Sequence, residues 1–249
     1  MPGPLHILEL RSVRGTGGGP EKTILHGAGF HTPEHVHVTV CYVRDARDTA
    51  FDIDERARLH GVNYIEVRER HSLDWRAWRD VRALTRSRGI DIVHAHDYKT
   101  DLMALWLARA TGIVPLATAH GWSGSDTWKE RALYYPLDRR LLRRFPRVVA
   151  VSPDVCDVLL AHGAKPERVT VLPNGIDADV FRRDLVTRQD ARARMGVAED
   201  DCLVGTAARL EPVKRLDVLI DAVAALHQHI PALRLALAGE GALGPDLAA

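Results

Sequence analysis

The feature that most constrains this chain is a repeated alternation, in which short runs rich in Val, Ile and Leu are separated by longer segments of helical periodicity. A strand covered on both faces reads as a continuous apolar run, and parallel neighbours need a helical crossover between them. The alternation therefore predicts an α/β fold built on a parallel sheet. Strands are expected at LHILEL from Leu5, HVHVTVCYV from His35, VNYIEV from Val62, DIVHAH from Asp91, VPLATAH from Val114, RVVAVS from Arg147 and VTVLPN from Val169. Helices fill the intervals. The spacing predicts one over 72–88, with Ser72 as N-cap, Trp78, Val81 and Leu84 near one face and Gly89 as the stop, and another over 98–110.

Residues 177–201 lose all strand character, are dense in Arg and Asp, and break at Gly196, so they read as a connection between domains. Alternation then restarts with strand CLVGTAARL, a helix over 216–229 and strand LRLALAG. The expected organisation is one doubly wound domain over 1–183 and the start of a second over 200–249, incomplete because two strands do not close a stable sheet. A length of 249 residues, 46% hydrophobic, is enough for two modest cores. With 34 basic and 33 acidic residues the formal charge is +1, which provides no global field for nucleic acid. Cys41, Cys156 and Cys202 are odd in number and far apart, pointing to neither a disulfide framework nor a zinc site, and a reducing cytoplasm fits them. The N-terminus reads as a first strand without a basic leader, and no apolar stretch reaches the ~18 residues needed to span a bilayer.

Four features could carry chemistry. The loop TGGGPEK, residues 16–22, joins the first strand to the first helix, where glycines let backbone N–H groups approach an anion. It matches neither a dinucleotide fingerprint nor a P-loop, and by itself a flexible turn explains it equally well. In AARLEPVKR, Arg209 ends a strand and Lys214 follows about one turn later, at the carboxyl end where open parallel sheets bind ligands. The pair could hold a diphosphate and stabilise it as it leaves, although Arg209 paired with Glu211 in solvent is the plainer alternative. His94, His96 and His120 end the fourth and fifth strands, and no carboxylate or cysteine spacing completes a metal site beside them. The Asp-x-Asp pairs at Asp52 and Asp54 and at Asp177 and Asp179 lie in charge-rich loops and read as coincidence.

Taken in order, TGGGPEK, DIVHAHDYKTD, TAHGW, AVSPDV, VLPNGIDADVF, ARLEPVKRLDVLI and LALAGEGAL resemble the family 4 retaining glycosyltransferases, which have the GT-B fold of two Rossmann-like domains. The resemblance covers essentially the whole chain and fixes no substrate. It implies transfer of a sugar from a nucleoside-diphosphate donor to an acceptor hydroxyl with retention of configuration and without a metal. It places Gly18 and Gly19 at the donor phosphate, His120 beside the transferred sugar, Arg209 and Lys214 on the donor diphosphate, and Gly239, Glu240 and Gly241 on the donor side. Glu21, His96 and Asn174 are implied on the acceptor side. The family's Glu-x7-Glu motif, which contacts donor sugar and ribose, is not found after Gly241, so the resemblance implies a C-terminally truncated chain.

Two other function classes fit the same pattern: a nucleotide-sugar epimerase of GT-B fold, and a non-catalytic binding module. The segment 138–147, DRRLLRRFPR, interleaves arginines with Leu141, Leu142 and Phe145 at helical spacing. Such a helix could rest on anionic lipid at the inner face of a membrane, near lipid-linked acceptors, or could face the core with a solvated basic side.

Overall fold

The computed structural model describes residues 3–247, apart from 16, 31, 50–52, 73 and 123–129. The chain divides into two compact units, the first running to Ile176 and the second starting at Asp177.

In the first unit, seven strands form one fully parallel sheet: β1 (Leu5–Val13), β2 (Val36–Asp45), β3 (Asn63–Glu69), β4 (Ile92–Ala95), β5 (Val114–Ala119), β6 (Arg147–Ala150) and β7 (Val169–Val171). Their order is β3-β2-β1-β4-β5-β6-β7. The chain winds outward from β1 to β3, then returns to lay β4 on the other side of β1. At that reversal the crossovers leave on opposite faces, which opens a crevice at the carboxyl ends of β1 and β4.

The helices cover both faces: α1 (Gly19–Gly29), α2 (Ile53–Leu59), α3 (Trp75–Ser87), α4 (Tyr98–Thr111), α5 (Tyr135–Leu142) and α6 (Pro153–Ala161). One face of the sheet presents Leu8, Leu10, Val93, Ala95, Ala117 and Ala119 to a core that also takes in Ala77 and Val81 of α3 and Met103, Ala104 and Leu107 of α4. On the opposite face, beneath α1 and α2, Val40 and Tyr42 pack on Ile24, Leu25, Ile53 and Ala57. Toward β4 and β5 this second face changes to His94, His96, Thr118 and His120.

Helix α3 begins at Trp75 with Asp74, not Ser72, as its cap: the Asp74 carboxylate accepts from the Arg76 N–H at 3.0 Å, whereas Ser72 lies two residues too early to do so. Helix α4 starts where Asp97 accepts from the Lys99 and Thr100 N–H groups, and stops at Gly112, whose φ of 79° suits glycine. The basic segment 138–147 turns its apolar residues inward, with Leu141 and Leu142 buried and Phe145 fully so. Arginines such as Arg140 and Arg144 face outward. Of the two alternatives, the core-facing one therefore holds for Leu141, Leu142 and Phe145, whose burial leaves them unable to rest on lipid. Among the described residues no helix is long and apolar enough to cross a membrane.

In the second unit the stretch read as a connection carries helix α7 (Leu185–Arg194), capped by Asp184, which accepts from the Val186 and Thr187 N–H groups. Strands β8 (Cys202–Ala207) and β9 (Leu233–Ala238) then pair in parallel across α8 (Leu216–His227), and α9 (Gly244–Leu247) follows.

Candidate active site

Parallel pairing of β1 with β4 aligns Glu9 with His94, and pairing of β4 with β5 aligns His94 with Leu116. Because side chains alternate along a strand, Glu9, His94, His96 and Thr118 share one face at the switch point. Glu9 Oε2 is 3.0 Å from His94 Nδ1 and 2.5 Å from His96 Nε2. The far nitrogen of His94, Nε2, is 2.7 Å from the Thr118 hydroxyl, and His96 Nδ1 is 3.1 Å from His120 Nε2. These groups line an open cavity of about 240 Å³ together with Thr23 and Ile24 of α1 and Asn174.

A second charge pair braces the first. Arg11, two residues along β1 from Glu9, donates through Nε to Glu21 Oε1 at 2.5 Å and through Nη1 to the His96 carbonyl at 2.8 Å. The other Glu21 oxygen accepts the Gly18 N–H at 2.5 Å, so the carboxylate caps α1 from within. Gly17 is required here, because its φ is 71° and a Cβ would lie 2.7 Å from Glu21 Cγ.

Burial alone would raise the Glu9 carboxyl, but charge interaction and hydrogen bonding with His94 and His96 outweigh it and hold Glu9 well below the usual carboxylate range. Burial likewise pushes Glu21 up, and the Arg11 charge and hydrogen bond with the Gly18 N–H bring it below its ordinary value. Desolvation, and next the neighbouring His94, lowers His96 to about 4. Desolvation followed by His96 lowers His120 to about 3, so both rings are neutral near pH 7.

Donor atoms of Glu9, His94 and His96 all lie within 4.8 Å of one another, the spacing of a possible metal site. The carboxylate that sequence spacing did not supply thus comes from β1, across the sheet. Yet tetrahedral ligands at ~2.0–2.1 Å from zinc stand over about 3 Å apart. The 2.5 Å contact between Glu9 and His96 is a hydrogen bond.

The structure gathers His96, His120 and Asn174 around one cavity. Gly18, Gly19 and Glu21 are not in its lining; Glu21 is buried against Arg11. Asp177 is engaged locally, accepting the N–H groups of Asp179 and Val180, while Asp52 lies outside the described residues.

The second unit holds the rest. Strand β8 closes at Ala207, so Arg209 lies two residues beyond it, mostly exposed and paired with Glu211 at 2.7 Å, and Lys214 ends an exposed 3-10 turn before α8. Gly239, Glu240 and Gly241 follow β9, and the two glycines have a packing reason. A Cβ at Gly239 would lie 1.8 Å from the Ala208 carbonyl oxygen, and one at Gly241 2.4 Å from that of Leu210. Glu9 and Arg11 were not anticipated; their signal was two opposite charges, two residues apart, within the first strand.

The sequence model of Glycosyltransferase Family 4 matches residues 17–180. This chain belongs to that family. Family relatives include EpsF of Bacillus subtilis (strain 168), 32% identical over 172 residues that make up 66% of this chain and 44% of EpsF. The D-inositol 3-phosphate glycosyltransferase of Geodermatophilus obscurus is 34% identical over 154 residues, 58% of this chain and 33% of the relative. The chain thus spans less than half the length of these curated relatives. Among solved structures, Anabaena Alr3699/HepE in complex with UDP superposes with a TM-score of 0.76 over 97% of this chain and 63% of its own, at 19% identity. UDP-GlcNAc 2-epimerase from Neisseria meningitidis does so at 0.62 over 94% and 65%, at 17% identity. At these identities the structural likeness establishes the GT-B fold of the family and nothing finer.

Proposed function

We propose that this chain serves a retaining transfer in which a sugar passes from a nucleoside-diphosphate donor to an acceptor hydroxyl on a glycan or lipid-linked molecule, without a metal. The observation that carries the reading is the convergence of His96, His120 and Asn174 on one cavity at the switch point, in a chain of glycosyltransferase family 4.

The chemistry divides between leaving group and sugar. As the glycosyl bond breaks, negative charge grows on the diphosphate, and Arg209 with Lys214 would neutralise it; Arg209 would exchange Glu211 for phosphate oxygens. Gly239, Glu240 and Gly241 follow the neighbouring strand end and belong to the same donor side. The acceptor oxygen bonds to the anomeric carbon on the face from which the diphosphate departs, and the departing phosphate oxygen takes the hydroxyl proton. His120, with its pKa lowered to about 3, is a weak base near neutral pH, and this suits it to hold a sugar hydroxyl instead of removing a proton.

Because Alr3699/HepE has been solved with UDP-glucose, that donor is the first to test. In a chelator-treated transfer assay with anomeric analysis, the product should keep the donor's configuration, and Arg209→Ala and Lys214→Ala should each lower kcat by about 10²-fold or more. Wild-type rates in both variants would refute the assignment. Release of an epimerised free sugar would move the chain to the nucleotide-sugar epimerases, and failure to bind any nucleotide sugar would leave a binding module.

A further inference from the structure

The network at the switch point contains a group with no part in the proposed transfer. The Glu9 carboxylate contacts both His94 and His96, and its position on β1 is fixed by register with His94. An ionised carboxylate only accepts hydrogen bonds, so the ring nitrogens facing it carry the protons. His94 Nδ1 donates to Glu9, leaving His94 Nε2 to accept from the Thr118 hydroxyl at 2.7 Å. His96 Nε2 donates to Glu9 at 2.5 Å, which leaves His96 Nδ1 bare in the neutral ring. The atom 3.1 Å from that bare nitrogen is His120 Nε2, which must therefore be the donor. His120 then keeps its remaining nitrogen, Nδ1, as an acceptor on a ring that lines the cavity.

We propose that Glu9 is a positioning residue that acts through His96 to fix His120 in the Nε2–H tautomer, presenting Nδ1 as an acceptor to a ligand hydroxyl in the cavity. The tautomer assignment stands on these contacts with Glu9 ionised and His96 neutral; its consequence for catalysis rests on the reading that His120 holds the transferred sugar. The cavity is thereby selective for a donor group: a hydroxyl on the ligand satisfies Nδ1, whereas an acceptor oxygen or a deoxy position leaves it unpaired, which costs binding. Arg11 supports the arrangement by donating to the His96 carbonyl, which steadies the backbone from which the middle ring projects.

The test reads the rings directly, without donor or turnover. With histidine labelled by 15N in the intact chain, the His120 ring should show the neutral Nε2–H form. Glu9→Gln keeps the shape but removes the charge and puts an amide donor in the cluster, so His96 and His120 should pass to mixed tautomers, while Glu9→Asp should retain the wild-type form. Should Glu9→Gln fail to fold, His96→Gln supplies the same reading, since it cuts the link to His120 and leaves the Glu9–His94 contact. An Nδ1–H tautomer at His120 in the wild type, or a His120 signal unmoved in Glu9→Gln or in His96→Gln, would overturn the proposal. So would stoichiometric Zn²⁺ binding that shifts His94 and His96 and is lost in Glu9→Gln, because the cluster would then be a metal centre. Where transfer is measured, Glu9→Gln should lower kcat about tenfold with the His120→Gln background insensitive to it. An absence of transfer in every variant would count against the proposed reaction and leave the tautomer result standing.

Discussion

Replacing Arg11 with alanine isolates the most heavily buried charge pair at the site. The Glu21 side chain is 5% exposed and Arg11 15%, with Nε 2.5 Å from Oε1. Without Arg11, the carboxylate keeps the Gly18 N–H on one oxygen and loses its partner on the other, and the His96 carbonyl loses its guanidinium donor. Removing one partner of a buried pair costs roughly 3–5 kcal/mol, and the residual exposure of Arg11 favours the lower edge, about 3 kcal/mol. For a unit of this size each kcal/mol moves Tm by about 2–4 °C, giving a fall of about 9 °C in a thermal melt at pH 7. The double variant Arg11→Ala, Glu21→Gln should recover part of the loss, because no uncompensated charge remains. The folded-state pKa of Glu21 is depressed, so its contribution is present above the unfolded value of about 4.3 and is lost as pH falls through the lower folded value. The wild type should therefore lose stability below about pH 4 more steeply than Glu21→Gln. An Arg11→Ala melt at the wild-type temperature, or losses that simply add in the double variant, would refute the reasoning.

Further expectations follow from the same contacts. His96 and His120 are neutral when folded down to about 4 and about 3, whereas unfolded histidine binds its proton near 6.5. Stability should hence fall with pH below about 6.5 by roughly 1.4 kcal/mol per unit for each ring, and His96→Gln should flatten the urea-unfolding profile between about pH 6 and 4. Phe145→Ala empties a fully buried position and should cost about 3–5 kcal/mol by urea denaturation. Gly239→Ala drives a Cβ against the Ala208 carbonyl and should expose the β8 and β9 amides to hydrogen exchange, while those of β1 to β7 stay protected.

The strands of both sheets were legible because each is a short run rich in Val, Ile, Leu and Ala set between helical segments, and each of the nine described strands lies near its expected place. Ends were less legible where competing caps lie close together, as with Ser72 and Asp74 at the start of α3. The segment containing α7 hid its helix because arginines and aspartates dominate it, and its order depends on tertiary contacts such as Arg192 donating to the Asp201 carbonyl at 2.7 Å. At the candidate site, His96 and His120 were readable from their position at strand ends. Glu9 and Arg11 were not, because their partners His94 and His96 lie 85 or more residues away and only the β1–β4 register brings them together. The basic segment 138–147 shows the converse: spacing alone does not distinguish an apolar face that meets lipid from one that meets its own core.

The measurement that tests the central claim most directly is calorimetric titration of the chain with uridine, guanosine and adenosine diphosphate sugars, with Lys214→Ala as control and circular dichroism on each sample. The account predicts micromolar binding of at least one donor and its loss in Lys214→Ala. Folded protein that binds none of them, or binds one equally well without Lys214, would contradict it.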